Sequence, residues 1–161
     1  AGGVFYRVSG ADKVGVLREV VALLRLPEEV DREFLFRVLL AREAIASTAI
    51  GDGLAIPHVR NPVVLHVGRP SLALCFLDRP VEYGALDGKP VHILFPIISP
   101  TTRAHLHLMA KLSFVLRDPG VHRAVHGQAS RQEILQEVDR AEQRLVASEP
   151  QNETRVEAGS A

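Results

Sequence analysis

The sequence predicts an α/β fold, a single domain with a mixed β-sheet flanked by α-helices. Three observations predict it. The chain has 161 residues, ordinary for one domain. Its apolar pattern runs strand, two helices, several strands, then helices, an order that suits a sheet covered by helices. No internal repeat and no linker divides it. A core of this size needs no metal or disulfide to be stable.

The elements follow in order. Val4-Phe5-Tyr6-Arg7-Val8 has strand composition, and Ser9-Gly10 breaks it. Asp12 is placed to cap a helix whose apolar face is Val14, Leu17, Val21 and Leu24, with Pro27 ending it. Asp31 caps a second helix that turns Phe34, Leu35, Val38 and Leu39 inward and runs to Glu43. From Ala46 to Pro62, the spacing of Gly51, Gly53, Pro57 and Pro62 reads as a loop with short extended pieces. Strands are expected at Val63–Val67 and Ser71–Leu77, and a turn at Asp87-Gly88. Val91 to Ile98 is nearly all apolar, as in a strand buried on both faces. Ser99-Pro100 reads as a helix start, and Leu108, Met109, Leu112 and Leu116 as that helix's apolar face. Asp118-Pro119 stops it. A short helix around His122 ends at Gly127. Ser130 and Glu133 form a capping box for a last helix striped by Ile134, Val138, Ala141 and Leu145. The polar stretch from Ser148 is expected to be a disordered tail, so the domain is 1–147 and the tail 148–161. The chain begins at Ala1 rather than Met, so it reads as a piece of a longer protein.

Composition excludes several function classes. Nineteen Lys plus Arg balance nineteen Asp plus Glu, which speaks against a nucleic-acid partner bound through its phosphate backbone. The lone Cys75 rules out a disulfide framework and a Cys-rich zinc site. No apolar run of about 18 residues and no signal peptide is visible, so no membrane insertion and a cytoplasmic location are expected. Seven histidines are the unusual count.

Most of the seven have ordinary readings. His66 reads as the solvent side of a strand, and His92 as a satisfied histidine of the most buried strand. His122 and His126 are spaced to share a helix face, as metal ligands can be. The residues between them include Arg123, which would repel a cation, and lack the Glu of the zinc-protease pattern. His58 differs. It ends the run Gly51-Asp52-Gly53-Leu54-Ala55-Ile56-Pro57, whose glycines and proline fix a particular backbone path. A neutral imidazole displayed there suits nucleophilic capture of a phosphoryl group. His105 falls in the first turns of the helix after Ser99-Pro100. It shares a face with Leu108, Met109 and Leu112, whereas His107 faces solvent.

Two blocks then carry a resemblance. The first runs Leu39-Leu40-Ala41-Arg42-Glu43-Ala44-Ile45-Ala46-Ser47-Thr48-Ala49-Ile50 and on through Gly51 to Pro57-His58. The second runs from Ala85-Leu86-Asp87-Gly88-Lys89-Pro90-Val91 through the apolar strand to His105-Leu106-His107-Leu108-Met109-Ala110-Lys111-Leu112-Ser113. Together they resemble the phosphotransferase-system enzyme IIA domain of the fructose/mannitol type, nearest its nitrogen-regulatory branch. The likeness extends from Val4 to Val146.

The resemblance implies a phosphotransferase with a phosphohistidine intermediate. A histidine phosphocarrier protein would phosphorylate His58, with His105 as the second active-site histidine. Arg42 and Thr48, with Ser47 beside it, would bind the phosphoryl group. No cofactor and no metal is implied, since fixed donors supply the charge. A regulatory role is the leading expectation, with regulatory target proteins downstream. The alternatives are a sugar-transport IIA that passes phosphate to a IIB partner, and a binding module that kept the fold without the chemistry. Ala46 and Ala49 replace glycines common in the family. Val59 and Arg60 follow the histidine where a small residue is usual, which raises how a partner would approach. The N-terminus is short by family standards, which leaves room for an upstream segment or domain. The oligomeric state is not legible.

Overall fold

The computed structural model describes residues 2–148. They form two compact units that divide after Lys111. The tail expected from 148 onward falls outside the described residues, apart from Ser148, which closes the last helix.

The first unit is built on a mixed five-stranded sheet. Its strands are β1 (Val4–Val8), β2 (Ala49–Gly51), β3 (Leu54–Ala55), β5 (Leu74–Val81) and β6 (Val91–Leu94), in spatial order β1-β5-β6-β3-β2. β1 runs parallel to β5 and β3 parallel to β6, while β5/β6 and β2/β3 are antiparallel. A second, two-stranded sheet pairs β4 (Ser71–Leu72) with β7 (Ile97–Ile98). β5 and β6 are interior strands. Cys75, Phe76, Val91, Ile93 and Leu94 are therefore buried whichever face they point to, which accounts for the unbroken apolar run in the sequence.

Helices α1 (Lys13–Leu23) and α2 (Arg32–Ile45) pack together, with α1 on β1 and β5. Asp12 caps α1 by accepting the Gly15 N–H, and Asp31 caps α2 by accepting from Glu33 and Phe34. The Arg32 guanidinium donates to the carbonyls of Val21, Ala22 and Leu24 and so satisfies the open end of α1. These helices and the sheet enclose a core that includes Leu17, Leu35, Leu39, Tyr83 and Leu94.

Five sequence expectations need correcting. Val14 is about half exposed. The inward face of α1 is Val16, Leu17, Val20, Val21 and Leu24, because the Asp12 cap sets Val14 in the outward part of the first turn. Residues 62–65 form a 3₁₀ turn instead of a strand. Pro62 and Leu65, three apart, are buried, Val63 and Val64 are exposed, and His66 ends the turn in the left-handed region at φ 51°. β5 continues past Leu77 to Val81, and the run 91–98 breaks into β6 and β7 at Phe95-Pro96. Helix α3 (Thr102–Val115) starts later than Ser99-Pro100. The Thr101 hydroxyl accepts the Ala104 N–H and caps it, while Ser99 is buried behind β7.

The second unit contains the end of α3, then α4 (Pro119–His126) and α5 (Arg131–Ser148), which pack on each other. Asp118 caps α4 and also takes the Arg144 guanidinium of α5 at 2.5 Å. The Ser130/Glu133 capping box forms reciprocally, with the Ser130 N–H on Glu133 and the Glu133 N–H on the Ser130 hydroxyl. Val121, Val125, Ile134 and Ala141 are the buried side chains of this helix pair. Among the described residues, no helix is long and apolar enough to cross a membrane.

Candidate functional site

His58 stands at the end of a rigid arm. The β2/β3 hairpin turns through Gly51, Asp52 and Gly53, all with positive φ of 92°, 53° and 75°. Gly53 has no alternative. A Cβ there would lie 2.2 Å from the His92 ring as well as being strained. The Asp87 carboxylate accepts the Asp52 N–H at 2.8 Å and pins the turn. That bond, with one from the Lys89 N–H, holds the Asp87 carboxyl below its ordinary range. Beyond β3 the chain runs on beside β6 and β7. The Phe95 N–H donates to Ala55 O and the Ile97 N–H to Pro57 O, both at 2.9 Å, and His58 bridges to Ile97.

The imidazole is oriented by its own backbone. His58 Nδ1 lies 2.7 Å from the Ile56 carbonyl oxygen. A carbonyl only accepts, so the ring proton sits on Nδ1 and the lone pair on Nε2. Burial lowers the His58 pKa. The bond to Ile56 opposes that shift, Arg42 adds to it, and Glu43 opposes it. His105 arrives from the first turns of α3, and its ring centroid lies 4.9 Å from that of His58, tilted by 34°. Burial, then His58, then Arg42 depress its pKa as well. Both rings are therefore neutral near pH 7.

Arg42 is in the last turn of α2. It donates to its own helix end at Ala46 O, 2.8 Å away, and its charge acts on both histidines. The hydroxyls of Thr48 and Ser47 have partners within the chain. The Thr48 hydroxyl is buried and donates to Glu43. The Ser47 hydroxyl donates to Tyr83 O at 2.8 Å and accepts the Ala49 N–H. In this geometry both serve to hold the loop.

Glu43 is the residue that sequence reasoning passed over. Its side chain is 4% exposed. It accepts the Thr48 N–H, the Thr48 O–H and the Tyr83 O–H, and Lys13 Nζ lies 3.5 Å away. Lys13 also sits over the Tyr83 ring at 4.6 Å. Burial, with the Glu43 charge, pushes the Tyr83 hydroxyl pKa upward. The clue available in the sequence was spacing, since Leu35, Leu39 and Glu43 share one inward stripe of α2.

The unusual residues around the arm resolve simply. Val59 is 3% exposed and belongs to the core, whereas Arg60 is exposed. Ala46 has φ −164°, extended backbone that any residue adopts, so alanine there carries no strain. His66 and His107 are exposed. His122 and His126 contact each other on α4, with centroids 4.2 Å apart.

With His58 on its arm and His105 on α3 brought ring to ring, comparison with known proteins places the chain among those of the phosphotransferase system. Residues 2–141 match the family described as the phosphoenolpyruvate-dependent sugar phosphotransferase system EIIA 2, and the chain belongs to that family. The match crosses both compact units. A nitrogen regulatory protein of Pseudomonas aeruginosa is 39% identical over 113 residues, 68% of this chain and 71% of that protein. A fructose-specific EIIABC component of Bacillus subtilis is 32% identical over 112 residues, 68% of this chain but 17% of that protein. The crystal structure of the nitrogen regulatory protein IIA-Ntr from Neisseria meningitidis superposes with a TM-score of 0.71 at 28% identity, covering 84% of this chain and 92% of that one.

Proposed function

We propose that this EIIA-type chain is a phosphoryl carrier with a regulatory role, which takes a phosphoryl group from a histidine phosphocarrier protein onto Nε2 of His58. One observation carries the reading. The His58 ring is neutral, locked by Ile56 so that Nε2 holds the lone pair, and set against a second neutral imidazole. In transfer, the Nε2 lone pair attacks phosphorus as the donor's phosphorus–nitrogen bond breaks, its electron pair staying on the donor ring. The protein's task is positioning and charge. His105 contacts the phosphoryl oxygens, and Arg42 supplies positive charge. Ser47 and Thr48 hold the loop that carries the arm.

Similarity to nitrogen regulatory proteins supports the regulatory role. Similarity to the fructose-specific component supports a second reading, delivery to a sugar-specific IIB domain. The test is incubation with phosphoenolpyruvate, enzyme I and a phosphocarrier. The expected product is one acid-labile phosphoryl group by mass, absent in His58→Ala. Unmodified wild-type protein with every carrier tried would overturn the proposal. Efficient onward transfer to a IIB domain would favour the sugar reading.

A further inference from the structure

The buried carboxylate of Glu43 is joined to the His58 ring by hydrogen bonds that run through the residues Thr48 and Ile56. Glu43 accepts both the N–H and the O–H of Thr48. The Thr48 carbonyl accepts the Ile56 N–H at 3.0 Å. The Ile56 carbonyl accepts the Nδ1 proton of His58 at 2.7 Å. Helix α2, the loop before β2 and the arm after β3 are thus linked at the residues that set the angle of the imidazole.

We infer that Glu43 is a positioning residue for His58, acting through Thr48 and Ile56 to hold the ring with Nε2 presented for reaction. A buried ion pair is a weak source of stability, because an apolar side chain of similar size often serves as well. What the carboxylate supplies in addition is direction, since its two oxygens take both donors of Thr48 at once. Lys13 supplies the opposing charge, and Tyr83 donates to the same carboxylate. Arg42, one residue earlier, faces the histidines, so the end of α2 places a cation at the site and an anion behind it.

This inference rests on the phosphoryl-carrier reading for its purpose, but its first test needs no phosphoryl donor. Nitrogen-15 NMR of the His58 ring reports which nitrogen holds the proton. Wild type is expected to show the Nδ1–H form. Glu43→Gln is expected to show a mixture of the two tautomers. It should also slow phosphoryl acceptance on the order of 10²-fold, the cost of a small misplacement at a reacting centre, mainly in kcat and not in the KM for the phosphocarrier. Thr48→Val, which removes only the hydroxyl, should shift both readouts the same way by less, and it decides alone if Glu43→Gln fails to fold by circular dichroism. Wild-type tautomer in both variants would overturn the inference, even if their rates fell. Wild-type protein with the Nδ1–H ring that no carrier phosphorylates would overturn the proposed function and leave the positioning intact.

Discussion

His58 and His105 lie side by side and are held in opposite ways. The arm of His58 is hydrogen-bonded into the sheet at Ala55 and Pro57, and its ring is tied to Ile56. His105 hangs from the first turns of a helix, and among the described residues its ring meets His58 by ring contact and by no hydrogen bond. Under the proposed function, the difference separates two jobs. A nucleophile must hold one angle, because displacement in line tolerates little misplacement. A neighbour that attends a phosphoryl group in more than one state is better left able to turn.

The sharpest way to break this comparison is to remove the fixed ring. His58→Ala is expected to abolish phosphoryl acceptance by mass, and label appearing instead on His105 would show the two are interchangeable. Next comes His105→Ala. It should keep the site of modification and slow transfer by about 10²-fold, the scale of one lost transition-state donor. Stopped-flow kinetics at wild-type rates would remove its role. Gly53→Ala attacks the arm itself. The positive φ and the His92 ring leave no room for a methyl group, so the unfolding free energy from denaturant titration should fall by about 1–3 kcal/mol.

The smallest effect is in pH. Both rings are depressed below histidine's ordinary 6.5, chiefly by burial. In the unfolded chain they bind protons that the native rings refuse. Their contribution to stability is therefore level above pH 6.5 and declines as pH falls from there through the lowered native values. Denaturant midpoints measured on either side of that window check the sign, and His58→Gln should flatten the slope.

What was legible in the sequence was what the backbone demands. Gly51, Gly53 and Pro57 announced a fixed path, and the caps at Asp12, Asp31 and Ser130 announced helix starts, because each acts within a few residues of itself. The network under the site was not legible. It joins Lys13, Glu43, Thr48 and Tyr83, which only the fold brings together, and a glutamate near a helix end reads as solvated. The same limit produced the strand expected at Val63–Val67. Its β-branched run fits a strand, yet the burial of Pro62 and Leu65 selects a three-residue period there. Thr48 and Ser47 are legible as polar residues of the loop before β2, but the direction of their hydroxyls depends on Glu43 and on the Tyr83 carbonyl.

His58 is stitched into the core on both sides, by Ile56 at 2% exposure and Val59 at 3%. Pulling the segment loose would expose both, at about 1.5–3 kcal/mol apiece, besides breaking its bonds to the sheet. The arm therefore opens with the whole unit and not as a separate local fluctuation. If His58 takes the phosphoryl group as proposed, the signal is its field, about −1.5 to −2 charges on a chain whose formal charges sum to zero.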